Sequence, residues 1–169
     1  MKVGKAGDDV RRADREVKSV EEIRAILALC KTCHVAMVDE GTPYVVPLSF
    51  GYELQDGELT LFFHSAKEGR KMDIWRRNRT VCFAISCEGE PIFSAQTPCS
   101  SGYYFSSVIG TGEVEFLPDG TEKCEALTRL MKHQTGMEIA FSEEQAKAVC
   151  VYRVVSKDFT GKRKPRPVE

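Results

Sequence analysis

Behind Ser19-Val20-Glu21-Glu22, which has the form of a capping box with Glu three positions after Ser, the apolar residues Ile23, Ile26, Leu27 and Cys30 recur at helical spacing. That pattern predicts a short amphipathic helix ending near Lys31 or Thr32. The rhythm then changes to that of strands. Val35 to Val38 precedes an Asp39-Glu40-Gly41-Thr42-Pro43 turn, Tyr44 to Phe50 follows, and a Gln55-Asp56-Gly57 turn leads into Leu59 to His64. Gly with acidic neighbours between β-branched and aromatic runs is hairpin chemistry. Pro47 cannot donate to a ladder, so it marks an edge, a bulge or a ligand-facing stretch. Ala66 to Asn78 reads as a basic helix with Met72 and Trp75 on its apolar stripe. Thr80 to Cys87 and Tyr103 to Leu117 read as strands, the second with Gly110 and Gly112 marking a bend or a close backbone approach. Leu117-Pro118-Asp119-Gly120 breaks the chain before a helix from Thr121 to Gln134, which carries Leu127, Leu130 and Met131 on one face and has Gly136 just beyond its end. Ala146 to Val155 is the last expected strand.

About six strands joined mostly by hairpins, with three or four helices, predict a mainly β fold, an antiparallel barrel with peripheral helices. The regular strand–helix alternation of a parallel sheet is missing. No G-x-G-x-x-G or P-loop pattern follows any strand, which removes the common phosphate-binding fingerprints. Residues 1–18 mix basic and acidic groups with little apolar content and are expected to form a mobile arm. Residues 19–160 form the expected domain, and residues 161–169 a basic tail.

Composition changes this picture little. The 169 residues are 42% hydrophobic and 29% charged, as in an ordinary single globular domain. Lys and Arg number 24 against 25 Asp and Glu, so no global field draws the chain to nucleic acid or to an anionic membrane. No apolar run approaches the ~20 residues that span a bilayer. The N-terminal stretch has no apolar segment of the signal-peptide kind, and the seven cysteines are odd in number. The expectation is therefore a cytoplasmic protein with reduced thiols.

The segment richest in chemistry is Phe63-His64-Ser65-Ala66-Lys67-Glu68-Gly69-Arg70-Lys71, where a strand runs through a polar turn into a helix opening with cations. Helix N-termini present unpaired N–H groups and the positive end of the dipole, so cations there cost about 0.3–1 kcal/mol each unless an anion joins them. The residues read either as a phosphate cradle or as a solvated basic face. Cys30-Lys31-Thr32-Cys33-His34 spells C-x-x-C-H, the attachment signature of c-type haem. Against that reading stand the missing export signal and the lack of an evident second axial ligand. Zinc would lack a fourth ligand, and a redox dithiol would lack a βαβ setting. Cys99-Ser100-Ser101 has neither the elbow glycines nor the base of a nucleophile. Tyr103, Tyr104 and Phe105 suit core or dimer packing better than stacking on a ligand ring. The basic tail around Lys162-Arg163-Lys164 suits phosphate binding or solvation better than nucleic acid.

Four segments in order also carry a resemblance. They are Pro43-Tyr44-Val45-Val46-Pro47-Leu48-Ser49-Phe50, then Phe63 to Lys71 as quoted above, Ser107-Val108-Ile109-Gly110-Thr111-Gly112-Glu113, and Thr160-Gly161-Lys162-Arg163. Together they resemble the nitroimidazole-resistance (Nim) proteins of the pyridoxamine 5′-phosphate oxidase-like group, over roughly Ser19 to Lys164. The resemblance implies a six-stranded antiparallel split β-barrel that binds FMN at a homodimer interface. It implies that Pro47, Leu48, Ser49 and Phe50 line the isoalloxazine ring and that His64 and Ser65 flank the ribityl-phosphate. Ala66, Lys67, Arg70 and Lys71 would then surround the phosphate, with Ser107 and Lys162 as further contacts. His64 is the candidate for a chemical role. The oxidases proper carry an Arg and a Lys on the strand that here reads Val45 to Phe50, and their absence argues against pyridoxamine phosphate oxidation. The implied activity is electron transfer from a reduced donor through flavin to a small acceptor such as a nitroaromatic or a quinone. The alternatives are a non-enzymatic flavin- or haem-binding protein and a deazaflavin user on the same barrel.

Overall fold

The computed structural model describes residues 12–164, so the arm before Arg12 and the tail beyond Lys164 lie outside the described residues. Eight strands form one antiparallel sheet: β1 (Glu16–Val17), β2 (Thr32–Asp39), β3 (Thr42–Ser49), β4 (Gly51–Gln55), β5 (Glu58–Ser65), β6 (Thr80–Ile92), β7 (Gly102–Phe116) and β8 (Cys150–Lys164). The helices are α1 (Val20–Leu29), α2 (Arg70–Arg77), α3 (Thr121–Thr135) and α4 (Glu143–Ala146). The sheet order is β3-β2-β6-β7-β8-β5-β4, with β1 paired on β8.

This mainly β architecture with peripheral helices is the expected one, but the strand count is eight rather than six. The two additional strands are short. β4 is five residues that run on from the long Tyr44–Phe50 segment after a break at Phe50. β1 is a two-residue pair on Gly161 and Lys162, so ordered structure begins inside the expected arm and β8 continues through Lys164 into the expected tail. The start of that strand moves the other way, because Ser142 caps α4 with a complete capping box with Gln145 and β8 opens only at Cys150. At α1, Ser19 Oγ accepts from the Glu22 N–H at 3.4 Å but donates to the Glu21 carboxylate at 2.7 Å, leaving the box there half made.

β3 and β4 are the two edges of the sheet, yet Phe50 alone separates them in sequence. The sheet must therefore curl until its edges meet at that residue, and the barrel stays split because β3 and β4 share no ladder. Gly51 makes this closure possible. A Cβ there would lie 2.5 Å from Leu130 Cα of α3, a distance real Cβ atoms do not adopt. The bend expected at Gly110 and Gly112 is present, with a register shift between Thr111 and Glu113 and no room for a side chain against Asp158 and Val155.

The interior is filled by alternate residues of the strands, including Val35, Leu59, Leu61, Phe63, Phe83, Ile85, Val108, Tyr152 and Val154. α1 adds Ile23, Ile26 and Leu27, and α2 adds Met72, Ile74 and Trp75. α3 and α4 cover the outer face of β5 and β8 through Leu127, Ala126 and Ala146 against Phe62 and Val151.

Candidate functional site

β4 pairs β5 only between Gln55↔Glu58 and Gly51↔Phe62. Beyond Phe62 that side of β5 has no strand partner, so the split widens from Phe50 toward Ser65. α2 spans the wide end. Its Arg70 and Arg77 both reach Asp39 at the end of β2, at 3.0 and 2.7 Å, and Arg70 stacks over the Tyr44 ring of β3 at 4.3 Å. On its other side Trp75 packs against Tyr152 of β8 with ring centroids 4.7 Å apart.

The helix begins at Gly69, whose φ of 128° is a conformation that favours glycine, and no side chain among the described residues caps it. The Met72 and Asp73 N–H groups turn back to the Gly69 carbonyl. Those of Arg70 and Lys71 remain among the orphan donors of a helix N-terminus. Lys67 and Lys71 make no ion pair among the described residues, while Arg76 bonds Asp73 and donates to the Lys67 carbonyl. Ser65 lies directly across from Cys150, and both face inward. Burial pushes the Cys150 thiol up, against the opposing influence of Lys123, Arg76, Lys67 and Lys71. Among these cations Lys123 is buried and paired with Asp119 at 2.8 Å.

The expected binding strip Pro47 to Phe50 does not act as one surface. Alternation turns Pro47 and Ser49 outward and exposed, while Leu48 points in and Phe50 is wholly buried. The Phe50 ring packs on His133 at 4.7 Å, and its carbonyl accepts from Gln134 at 2.8 Å. Its side chain is core, so only the backbone of Phe50 is left to meet the ring edge that the resemblance implies. The edge position expected of Pro47 holds, since β3 borders the split and a missing N–H costs nothing there. Arg70, expected at the phosphate, is held by Asp39 and Tyr44. Ala66 is exposed, and its carbonyl takes the Ser65 hydroxyl at 2.9 Å. His64 is exposed on the face opposite Ser65, beside Val151.

Ser107 and Lys162 are cross-strand partners on β7 and β8. They lie on the outer face of the barrel, in a surface whose rows run Pro47–His34–Ala84–Ile109–Thr160 and Val45–Ala36–Cys82–Thr111–Asp158. Val38, Val45 and Ile109 are about half exposed there, and a shallow depression of about 300 Å³ lined by Ala36, Val38, Pro43 and Cys82 opens on it. The face escaped the sequence reading because its small residues, such as Ala36 and Ala84, carry no chemistry of their own. The alternation through β2 and β6 was its available signal.

The residues of C-x-x-C-H are not gathered into one ligand set. Cys30 and Cys33 are buried, and burial pushes each thiol up to about 12, with Cys87 adding to the effect on Cys30. His34 points to the outer face, away from Cys33. No group of three or more His, Cys, Asp or Glu side chains suited to a metal forms among the described residues. No helix among them is long and apolar enough to cross a membrane.

A sequence profile of the pyridoxamine 5′-phosphate oxidase family matches residues 19–163. None of the curated proteins matches significantly. Among solved structures, a candidate 5-nitroimidazole antibiotic resistance protein from Bacteroides thetaiotaomicron is 34% identical with a TM-score of 0.74, covering 88% of this chain and 86% of that one. The flavocytochrome Anf3 from Azotobacter vinelandii is 20% identical at a TM-score of 0.74, covering 93% and 72%. An FAD-binding protein from Mesorhizobium loti is 24% identical at 0.62, covering 89% and 98%. At these lower identities the likeness is one of fold.

Proposed function

The chain belongs to the pyridoxamine 5′-phosphate oxidase family, and from that footing we propose that it binds FMN at the interface of a homodimer and serves as a Nim-like oxidoreductase. The observation that carries this reading is the corner at Ser65. An uncapped helix N-terminus, two lysines without ion pairs among the described residues and a hydroxyl meet there beside the open end of the split. Such a cluster is unfavourable by itself and suits a phosphate. The donor set therefore fits FMN.

The geometry of β8 supports two copies if Ser65 and Lys162 serve the same flavin. Ser65 pairs with Cys150 at one end of that strand, while Lys162 with Ser107 lies twelve residues further along. At ~3.3 Å per residue that is roughly 40 Å of strand. One flavin can touch both groups only if a second copy supplies one of them. The outer face of β3, β2, β6 and β7, with its alanines, valines and prolines, is the surface on which the copies meet. Pro47 and Ser49 lie on it beside the split.

Bound FMN supplies hydride and electron transfer between a reduced donor and a small acceptor such as a nitroaromatic or a quinone. The protein's part is to hold the phosphate with Lys67, Lys71 and Ser65. Pro47 and the outward edge of β3 flank the ring, whose burial between two copies keeps water away. The strand from Val45 to Phe50 carries no cation for a pyridoxamine phosphate substrate, which favours the Nim branch. His64, facing solvent one residue from Ser65, comes to the flavin only where a second surface covers it, and it is the candidate proton donor there.

The test is titration of FMN and riboflavin into wild type and the Lys67→Ala/Lys71→Ala variant. Two charge-assisted contacts predict a loss of about 2–4 kcal/mol, or roughly 30- to 1000-fold in the FMN Kd, with riboflavin little changed. Equal losses for both ligands would remove the phosphate assignment. Turnover with a reduced donor and a nitroaromatic acceptor separates the oxidoreductase from a flavin carrier.

A further inference from the structure

Tyr152 has no accessible surface, and its hydroxyl has no hydrogen-bond partner among the described residues. A buried hydroxyl without a partner is costly, and most such groups in proteins find one. This one has little freedom to seek another. Its ring is stacked on Phe63 at 5.6 Å and 17°, and is bounded by Trp75 at 4.7 Å and Phe116 at 6.2 Å.

The register places a hydroxyl-bearing neighbour beside the phenol. Phe63 lies opposite Tyr152 and Ser65 opposite Cys150, all on the inward face, so Ser65 is the diagonal neighbour of Tyr152. Burial raises the phenol's pKa, and the neighbouring Ser65 hydroxyl opposes that rise. Ser65 Oγ meanwhile donates to the Ala66 carbonyl at 2.9 Å and touches Met72 Sδ at 3.6 Å. Ala66 is exposed, and water can satisfy its carbonyl as well as Ser65 can. The lone pairs of Ser65 Oγ remain able to accept.

Resting on the reading of this corner as the phosphate site, we propose that Tyr152 is a positioning residue for phosphate recognition: its hydroxyl donates to Ser65 Oγ, and Ser65 turns its hydrogen from the Ala66 carbonyl to a phosphate oxygen. The chain of donors runs from the aromatic interior to the anion. Each link polarises the next, and the arrangement strengthens when the acceptor at its end is charged. Lys67, Lys71, Arg76 and Lys123, which already bias Cys150 on the same face, supply the field that holds the anion. The unpaired phenol is thus a group whose partner is completed by the ligand.

The experiment uses Tyr152→Phe, which keeps the ring packing and removes only the unpaired hydroxyl. FMN and riboflavin are titrated into flavin-stripped protein, thermal melts are recorded without ligand, and the ³¹P resonance of bound FMN is compared with wild type. The expected result has two opposite parts. The ligand-free melting temperature is unchanged or higher, while the FMN Kd rises roughly 5- to 20-fold and riboflavin stays within about twofold. Ser65→Ala shows the same selective loss, the double variant loses little more, and the ³¹P shift moves in each. A purely structural role would lower the melting temperature and weaken both ligands alike, and either that pattern or an unchanged FMN Kd overturns the relay. A wild-type protein that binds FMN no better than riboflavin overturns the phosphate site itself, and the relay with it.

Discussion

Arg70 provides a sharp contrast between what a sequence motif suggests and what the fold does with it. The Arg70-Lys71 pair reads as two phosphate ligands, but the structure commits Arg70 to holding α2 across the open end of the split. Asp39 is the anchor, 18% exposed and bonded to Arg70 and Arg77, each of which is 55% exposed. Half-exposed pairs are screened, so each contributes about 0.2–1 kcal/mol, and the Arg70–Tyr44 stack adds about 0.5–1 kcal/mol. Asp39→Ala, which removes both pairs and leaves the stack, is therefore expected to cost about 0.4–2 kcal/mol, a fall of roughly 1–8 °C in Tm for a chain of this size. Arg70→Ala and Arg77→Ala should each lower Tm by part of that amount, and each should be non-additive with Asp39→Ala in a double-mutant cycle. The losses should shrink at about 1 M salt, where the Debye length is about 3 Å. Thermal melts by circular dichroism at low and high salt read all of these quantities. FMN affinity supplies the decisive arm, since Arg70→Ala should weaken FMN by less than about threefold, far less than the lysine substitutions. The latch is refuted if Asp39→Ala leaves Tm unchanged. It is also refuted if Arg70→Ala costs as much FMN affinity as Lys71→Ala, for Arg70 would then exchange Asp39 for the phosphate on binding.

Two more predictions follow from burial and from the outer face. Ala84→Arg puts a charge at the middle of the apolar outer face, beside His34 and Ile109, and should convert the dimer to monomer with loss of bound flavin; sedimentation with absorbance detection reads both, and a flavin-saturated monomer of the wild type would rule out a shared site. Burial lowers the His133 pKa, with Lys31 adding to the effect and a bond to the Cys30 carbonyl opposing it. The unfolded chain then takes up a proton near pH 6.5 that the folded chain resists, so this contribution is intact above about pH 6.5 and is lost as pH falls toward the lower folded value. The difference in Tm between wild type and His133→Gln should narrow across that window, and a difference independent of pH would sink the assignment.

The fold was legible because its strands announce themselves by period and its turns by chemistry. Asp56-Gly57 and Glu40-Gly41 take up positive φ where hairpins were read, and Gly136 closes α3 in the left-handed conformation. The site was less legible because motif reading treats neighbours in sequence as neighbours in space, while a strand sends them to opposite faces. That is why Pro47 and Ser49 separate from Leu48 and Phe50, and why His64 separates from Ser65. Tyr152, Cys150 and Lys123 were invisible as site residues for the converse reason. They come from β8 and α3, far along the chain, and only the β5–β8 register brings β8's residues opposite Ser65.

The same alternation explains how one residue can both close the barrel and leave it open. Phe50 is the sole link between the two sheet edges, and its buried ring and bonded carbonyl are locked by His133 and Gln134 at the end of α3. Gly51 next to it admits the α3 backbone. The edges are thus pinned at one end by packing and spanned at the other by the Asp39 latch of α2. Between these fixed points β3 keeps a row of ladder groups unpaired, a liability in any isolated sheet edge. Pro43 and Pro47 lower that liability by removing two donors, and Tyr44 carries Arg70 above it. An edge so guarded, held at a fixed gap and bordered by cations at its wide end, is suited to receive a flat ligand with an anionic tail. On the dimer proposed above, a second copy would cover what the single chain leaves exposed.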